Sequence, residues 1–190
     1  MRRFRRPGRA VGRILNRGIR RNLRAGGPAA RLRSAHQAMA NGEFELAEAE
    51  FLGLAEAAQR RGLPQGAPLL IAAGVAAVEA GEADRGAENI LRGLREFRQR
   101  GQMRRLAQAA RRVAGELRSK GHDRVADRIE SEFFEAELDL PALPEPTRKA
   151  ASLPAKCPQC GGSVHPGGIE WADDRRGICD YCGSILTASS

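Results

Sequence analysis

Residues 41–51, NGEFELAEAEF, return twice in altered form, as AGEADRGAENI at 80–90 and as KGHDRVADRIE at 120–130. The glycines at 42, 81 and 121 set a period of about 40 residues. Each glycine stands where one helix can end in the left-handed conformation and a new amphipathic helix can begin. Five residues after each glycine comes a small residue, Ala47, Gly86 or Ala126. A small side chain there lets two helices approach closely. Bulkier groups, Phe51, Ile90 and Ile129, follow on the same face. The pattern predicts three helical hairpins, over 29–61, 67–100 and 102–138, separated by the breakers RGLPQGAP at 61–68 and by Gly101. One hairpin cannot bury its apolar face alone, so stacked neighbours would supply a continuous core. The alternative is a plain helical bundle whose glycines are evenly spaced.

This middle region resembles tetratricopeptide-repeat proteins, most clearly in the turn Gly42 followed by Ala47 and Phe51. The period is longer than in that family. Glu130 stands where a large apolar residue would match Phe51, and the usual first-helix aromatic positions are Ala or Gly. The resemblance implies a protein-binding scaffold, with partners held on the face made by the first helix of each pair.

Outward from the repeats the character of the chain changes. Residues 1–27 form an Arg-rich arm, and residues 1–33 hold twelve arginines and no acid. On a helical wheel Arg9, Arg13, Arg17, Arg20, Arg21 and Arg24 share one arc, opposite Val11, Ile14, Leu15, Ile19 and Leu23. That is a basic amphipathic helix, weakened by Gly12 and Gly18, which needs a surface to fold on. The repeats extend over 28–138. Residues 139–156 carry Pro141, Pro144, Pro146 and Pro154 and read as a semi-extended linker. Residues 157–190 form the last region.

All four cysteines of the 190-residue chain lie in that last region, in the spacing C-x2-C-x18-C-x2-C: Cys157, Cys160, Cys179 and Cys182. Two residues between cysteines let one tight turn present both sulfurs to a single ion. Gly161 and Gly183 follow each pair; glycine there can take positive φ and aim backbone N–H groups at the thiolates. The knuckles CPQCGG and CDYCG resemble those of the zinc-ribbon family. Ser163–His165 and Ile169–Trp171 alternate around Pro166-Gly167-Gly168 as two antiparallel strands would, with a third over Ser184–Leu186. So short a segment cannot build its own core. A structural Zn2+ would supply on the order of 10–16 kcal/mol of apparent binding energy.

Four sulfur ligands close the coordination shell and leave no position for a catalytic water. Iron in place of zinc, two disulfides, and a thioredoxin-like redox pair are the alternatives; the last lacks its βαβ context. His165 is surplus to the ligand set, and Trp171 is expected to cover the small apolar face of the ribbon.

The formal net charge of +9 is concentrated in the arm and in residues 92–118. Arg104, Arg105, Arg111 and Arg112 share one helix side, opposite the apolar stripe Leu106, Ala109, Val113 and Leu117. A basic groove of this kind suits RNA, DNA or an acidic peptide, and the bland alternative is a solvated face paired with neighbouring glutamates. The longest apolar run, Leu69 to Val78, is too short to span a bilayer. No P-loop, no G-x-S-x-G and no partnered histidine occurs.

The expectation is a mainly α protein with a small β zinc ribbon, acting without catalysis as a cytoplasmic adaptor for a protein partner. No small-molecule substrate is implied. Nucleic-acid binding through the arm and the basic helical face is the second expectation. Peripheral attachment to an anionic membrane, at its inner face, is the third.

Overall fold

The computed structural model describes residues 27–134, 153–165, 169–173 and 175–188. Six helices come first: α1 (Pro28–Asn41), α2 (Phe44–Arg60), α3 (Gly66–Glu79), α4 (Ala83–Gln99), α5 (Met103–Ser119) and α6 (Asp123–Phe134). Three short strands follow: β1 (Glu170–Trp171), β2 (Arg176–Ile178) and β3 (Ile185–Thr187). The chain is mainly helical with a small antiparallel sheet of order β1-β2-β3 near its C-terminus. The amphipathic arm, most of the Pro-rich linker and the Pro166–Gly168 turn lie outside the described residues.

Helix ends repeat one device. Gly42, Gly81 and Gly121 take φ of 76°, 87° and 84°. The next residue then bonds back to the helix it left: Glu43 N to Ala38 O, Glu82 N to Ala77 O and His122 N to Leu117 O, each at 2.9 Å. This six-to-one bond satisfies a carbonyl that the helix end would leave orphaned, and it needs the left-handed residue that glycine adopts without strain. Gly62 and Gly101 close α2 and α4 in the same way, through Leu63 N to Ala58 O at 3.0 Å and Gln102 N to Phe97 O at 2.9 Å.

Each helix packs on the next, most extensively α3 on α4 and then α2 on α3, and α4 also meets α6. The α3–α4 pairing is the tightest. A Cβ at Gly74 would stand 2.6 Å from the Gly86 carbonyl oxygen, and one at Gly93 would stand 2.7 Å from that of Ala67. Small residues thus let the two backbones touch, as expected for Gly86. Ala47 and Ala126 are fully buried, and so, or nearly so, are Phe51, Ile90 and Ile129.

Helix α3 is buried on almost every side, so its apolar run serves as an interior helix. It divides two cores. Ile71, Val75 and Val78 join α4, α5 and α6 in one cluster. Leu69, Leu70, Ala73 and Ala76 join α1 and α2 in the other, which also takes in Cys157, Cys160, Ile169, Cys179 and Leu186. Among the described residues no helix is long and apolar enough to cross a membrane.

The strand pairing differs from the expected hairpin around Pro166. Ser163 forms a bridge with Lys156, and Val164 N donates to Ala155 O at 2.9 Å. Glu170 and Trp171 pair with Ile178 and Gly177, and Arg176–Ile178 pair onward with Thr187–Ile185. The reason is that each cysteine knuckle is itself a hairpin turn. Cys157 N bonds Gly162 O at 2.8 Å and Cys179 N bonds Ser184 O at 2.9 Å, so the segments flanking each knuckle become partners. The β1–β2 turn is closed by Asp173, whose Oδ1 accepts from Arg175 N at 3.0 Å and Arg176 N at 2.8 Å.

Candidate metal centre

The two knuckles face each other. Cys157 Sγ lies 3.7 Å from Cys182 Sγ, and Cys160 Sγ lies 3.8 Å from Cys179 Sγ. All four sulfurs fall within 4.8 Å of one another. A tetrahedral ion holding sulfurs at about 2.3 Å sets them about 3.8 Å apart along each edge. Disulfide sulfurs would be bonded at about 2.05 Å, and all four cysteines are free. The donor set therefore fits one metal ion. His165 lies outside the cluster.

Local folding explains how the sulfurs converge. Gly161 and Gly183 take φ of 76° and 72°. They return hydrogen bonds to Cys157 O at 2.8 Å and Cys179 O at 2.9 Å. The curl this produces turns backbone donors onto sulfur. Gly162 N–H points at Cys160, those of Tyr181 and Cys182 at Cys179, and that of Ser184 at Cys182. The Ser184 hydroxyl adds a contact of 3.0 Å to Cys182 Sγ and one of 3.4 Å to Cys157 Sγ.

Four thiols this close cannot all ionise without a cation among them. Hydrogen bonds from Cys160 and Cys179 drive the Cys182 thiol far below its ordinary range. Its bonds to Cys179 and Cys182, with burial, drive Cys160 upward. A divalent cation relieves this conflict by neutralising charge that the backbone donors only share.

The ribbon sits against the first helix of each hairpin. Arg33 of α1 donates to Gln159 O at 2.7 Å. His36, also of α1, lies edge-on between Phe51 and Tyr181, with ring centroids at 5.1 and 4.9 Å. A Cβ on Gly162 would lie 2.7 Å from His36 Nε2, and one on Gly183 would lie 2.8 Å from Gln65 Nε2, at the start of α3. On α5, Arg105 pairs with Asp180 and approaches Glu170 at 3.9 Å, with its guanidinium 5.2 Å from the Phe97 ring centre. Burial pushes the Asp180 carboxyl up, against the pull of Arg105 and Arg112. Burial, with Lys156 nearby, lowers His36 to about 4. Trp171 packs, partly buried, against the same core.

The basic helix side is thereby divided. Arg105 faces the ribbon, and Arg112 lies close enough to act on Asp180, Tyr181 and His165. Arg104 and Arg111 are exposed. Arg13, Arg17, Arg20, Arg21 and Arg24 lie outside the described residues. Sequence reasoning missed His36, Asp180 and Tyr181. Asp180 and Tyr181 are the two residues inside the second knuckle, and their place in so tight a turn was the available signal.

No family model, no curated protein and no solved structure matches the chain.

Proposed function

We propose that the chain is a non-enzymatic zinc-binding adaptor in the cytoplasm. In this reading a divergent tetratricopeptide-like array and a zinc ribbon form one protein-interaction scaffold. The observation that carries it is the four-sulfur cluster, buried but for the half-buried Cys182, seated against α1 and the start of α3. Its sulfur spacing suits zinc, and the four ligands leave no open position for chemistry on the ion. Cys157, Cys160, Cys179 and Cys182 would hold the metal, which supplies the cohesion that so few apolar ribbon residues lack. The repeated glycine caps and the sequential hairpins support the array reading.

The exposed Arg104 favours nucleic acid as a second class of partner, with affinity that falls steeply with salt. Engagement of Arg105 by Asp180 weakens that reading, because it removes one cation from the basic helix side.

Affinity purification of the intact chain, beside Cys160→Ser and with nuclease treatment, tests the choice. A protein partner that survives nuclease and is lost with Cys160→Ser supports the adaptor. Recovery of nuclease-sensitive material alone contradicts it.

A further inference from the structure

The second knuckle ends in a two-residue tip, Asp180-Tyr181, and the helices meet it with matched chemistry. Arg105 takes the carboxylate, and His36 takes the ring edge-on. Both members of the ion pair are mostly buried, with 17% and 18% of their side chains exposed. Around this tip Arg33 holds a carbonyl of the first knuckle, Gly162 and Gly183 lie against His36 and Gln65, and Ile169, Leu186 and three of the cysteines join the core of α1, α2 and α3. Of the two helical cores, the one formed by α3, α4, α5 and α6 includes no ribbon residue, whereas the one formed by α1, α2 and α3 is shared with the ribbon. A face backed by a purely helical core on the α5 side and a tip of two specific side chains have the anatomy of a receptor and its ligand.

We propose that the face formed by α1, the start of α3 and α5 is an acceptor surface for an acidic–aromatic turn, filled in cis by the chain's own ribbon. The inference rests on reading the cysteine segment as a metal-held ribbon. It goes further in assigning the recognition chemistry: a carboxylate for Arg105 and, next to it, an aromatic ring for His36. A protein that uses this face in trans must present the same pair of groups and displace Asp180-Tyr181. The face is not a general basic groove, because its central cation is already committed to one carboxylate.

Charge reversal on full-length chains tests this. Asp180→Arg and Arg105→Asp each place like charges across the contact, while each still carries a surface complementary to the other variant. Mixing the two should give a 1:1 heterodimer by native mass spectrometry, with each ribbon seated on the other chain, whereas neither variant alone should dimerise beyond wild type. Hydrogen exchange in α1 and α5 should rise about tenfold in each single variant. It should return toward wild type in the mixture and in the double variant Arg105→Asp/Asp180→Arg.

Gly162→Ala provides an uncharged second variant, since the added methyl would strike His36 and Tyr181 while every cysteine stays. It should raise exchange in α1 with the helical circular dichroism retained. Absence of a heterodimer together with unchanged exchange overturns the proposal. So does loss of the whole helical signal in Asp180→Arg and Gly162→Ala alike, for the helices would then be unable to stand without the seated ribbon. Metal content read from the same spectra separates the two inferences. A chain that carries no zinc yet keeps α1 and α5 protected contradicts the metal reading and still supports the docking.

Discussion

The helical region and the ribbon solve the problem of cohesion in opposite ways. The helices repeat one motif, a glycine-capped hairpin, and bury Leu, Ile, Val, Phe and Ala in two clusters separated by α3. The ribbon has strands of two or three residues, few buried apolar side chains of its own, chiefly Ile169 and Leu186, and a cluster of four sulfurs. One region gains stability from apolar area shared between neighbours; the other concentrates it at one point. Damage should therefore spread gradually through the helices and act all at once in the ribbon.

Removing a sulfur is the sharpest way to break that contrast. Cys160→Ser should abolish binding of one zinc per chain, a loss of several kcal/mol at least, out of the order of 10 that such sites provide. Exchange protection over 153–188 should collapse while the α3–α4 amides stay protected. A variant that unfolded both regions together would show that they are not separate in this sense.

Phe51→Ala comes next. Phe51 is 1% exposed, in the core shared by α1, α2 and the ribbon. Truncation should cost about 3–5 kcal/mol by chemical denaturation with zinc still bound. Gly74→Ala should cost about 1–3 kcal/mol, because the new methyl meets the Gly86 carbonyl and the Ile90 backbone, neither of which can swing aside.

The smallest effect is on pH. His36 is lowered to about 4 by burial, with Lys156 adding to the shift and Cys182 opposing it. The unfolded chain takes up a proton near pH 6.5 that the folded chain refuses until about pH 4. Stability should consequently fall as pH drops through that window and be fully present above it. Denaturation of wild type and His36→Gln between pH 7 and about 5.5, with zinc content monitored, should show a shallower slope in the variant.

Much of the helical fold was legible because the C-terminal ends of α1 to α5 each depend on a glycine. Gly42, Gly81 and Gly121 announce a left-handed cap whatever surrounds them. The close approach at Gly74 and Gly93 was not legible, since glycine inside a helix reads only as a weak position until its partner helix is known. The four sulfurs were legible from spacing alone. The strand pairing was missed because Pro166-Gly167-Gly168 looks like the natural turn, whereas the knuckles themselves are the turns. The docking of the ribbon was hidden for another reason. Arg105 and Asp180 lie far apart in sequence, and no periodicity links an isolated long-range ion pair.

The most direct test is X-ray absorption at the zinc edge on the purified full-length chain. One zinc per chain with four sulfur neighbours at about 2.3 Å is the predicted result. A chain without zinc whose cysteines form two disulfides, or a zinc with nitrogen or oxygen in its first shell, would contradict the account.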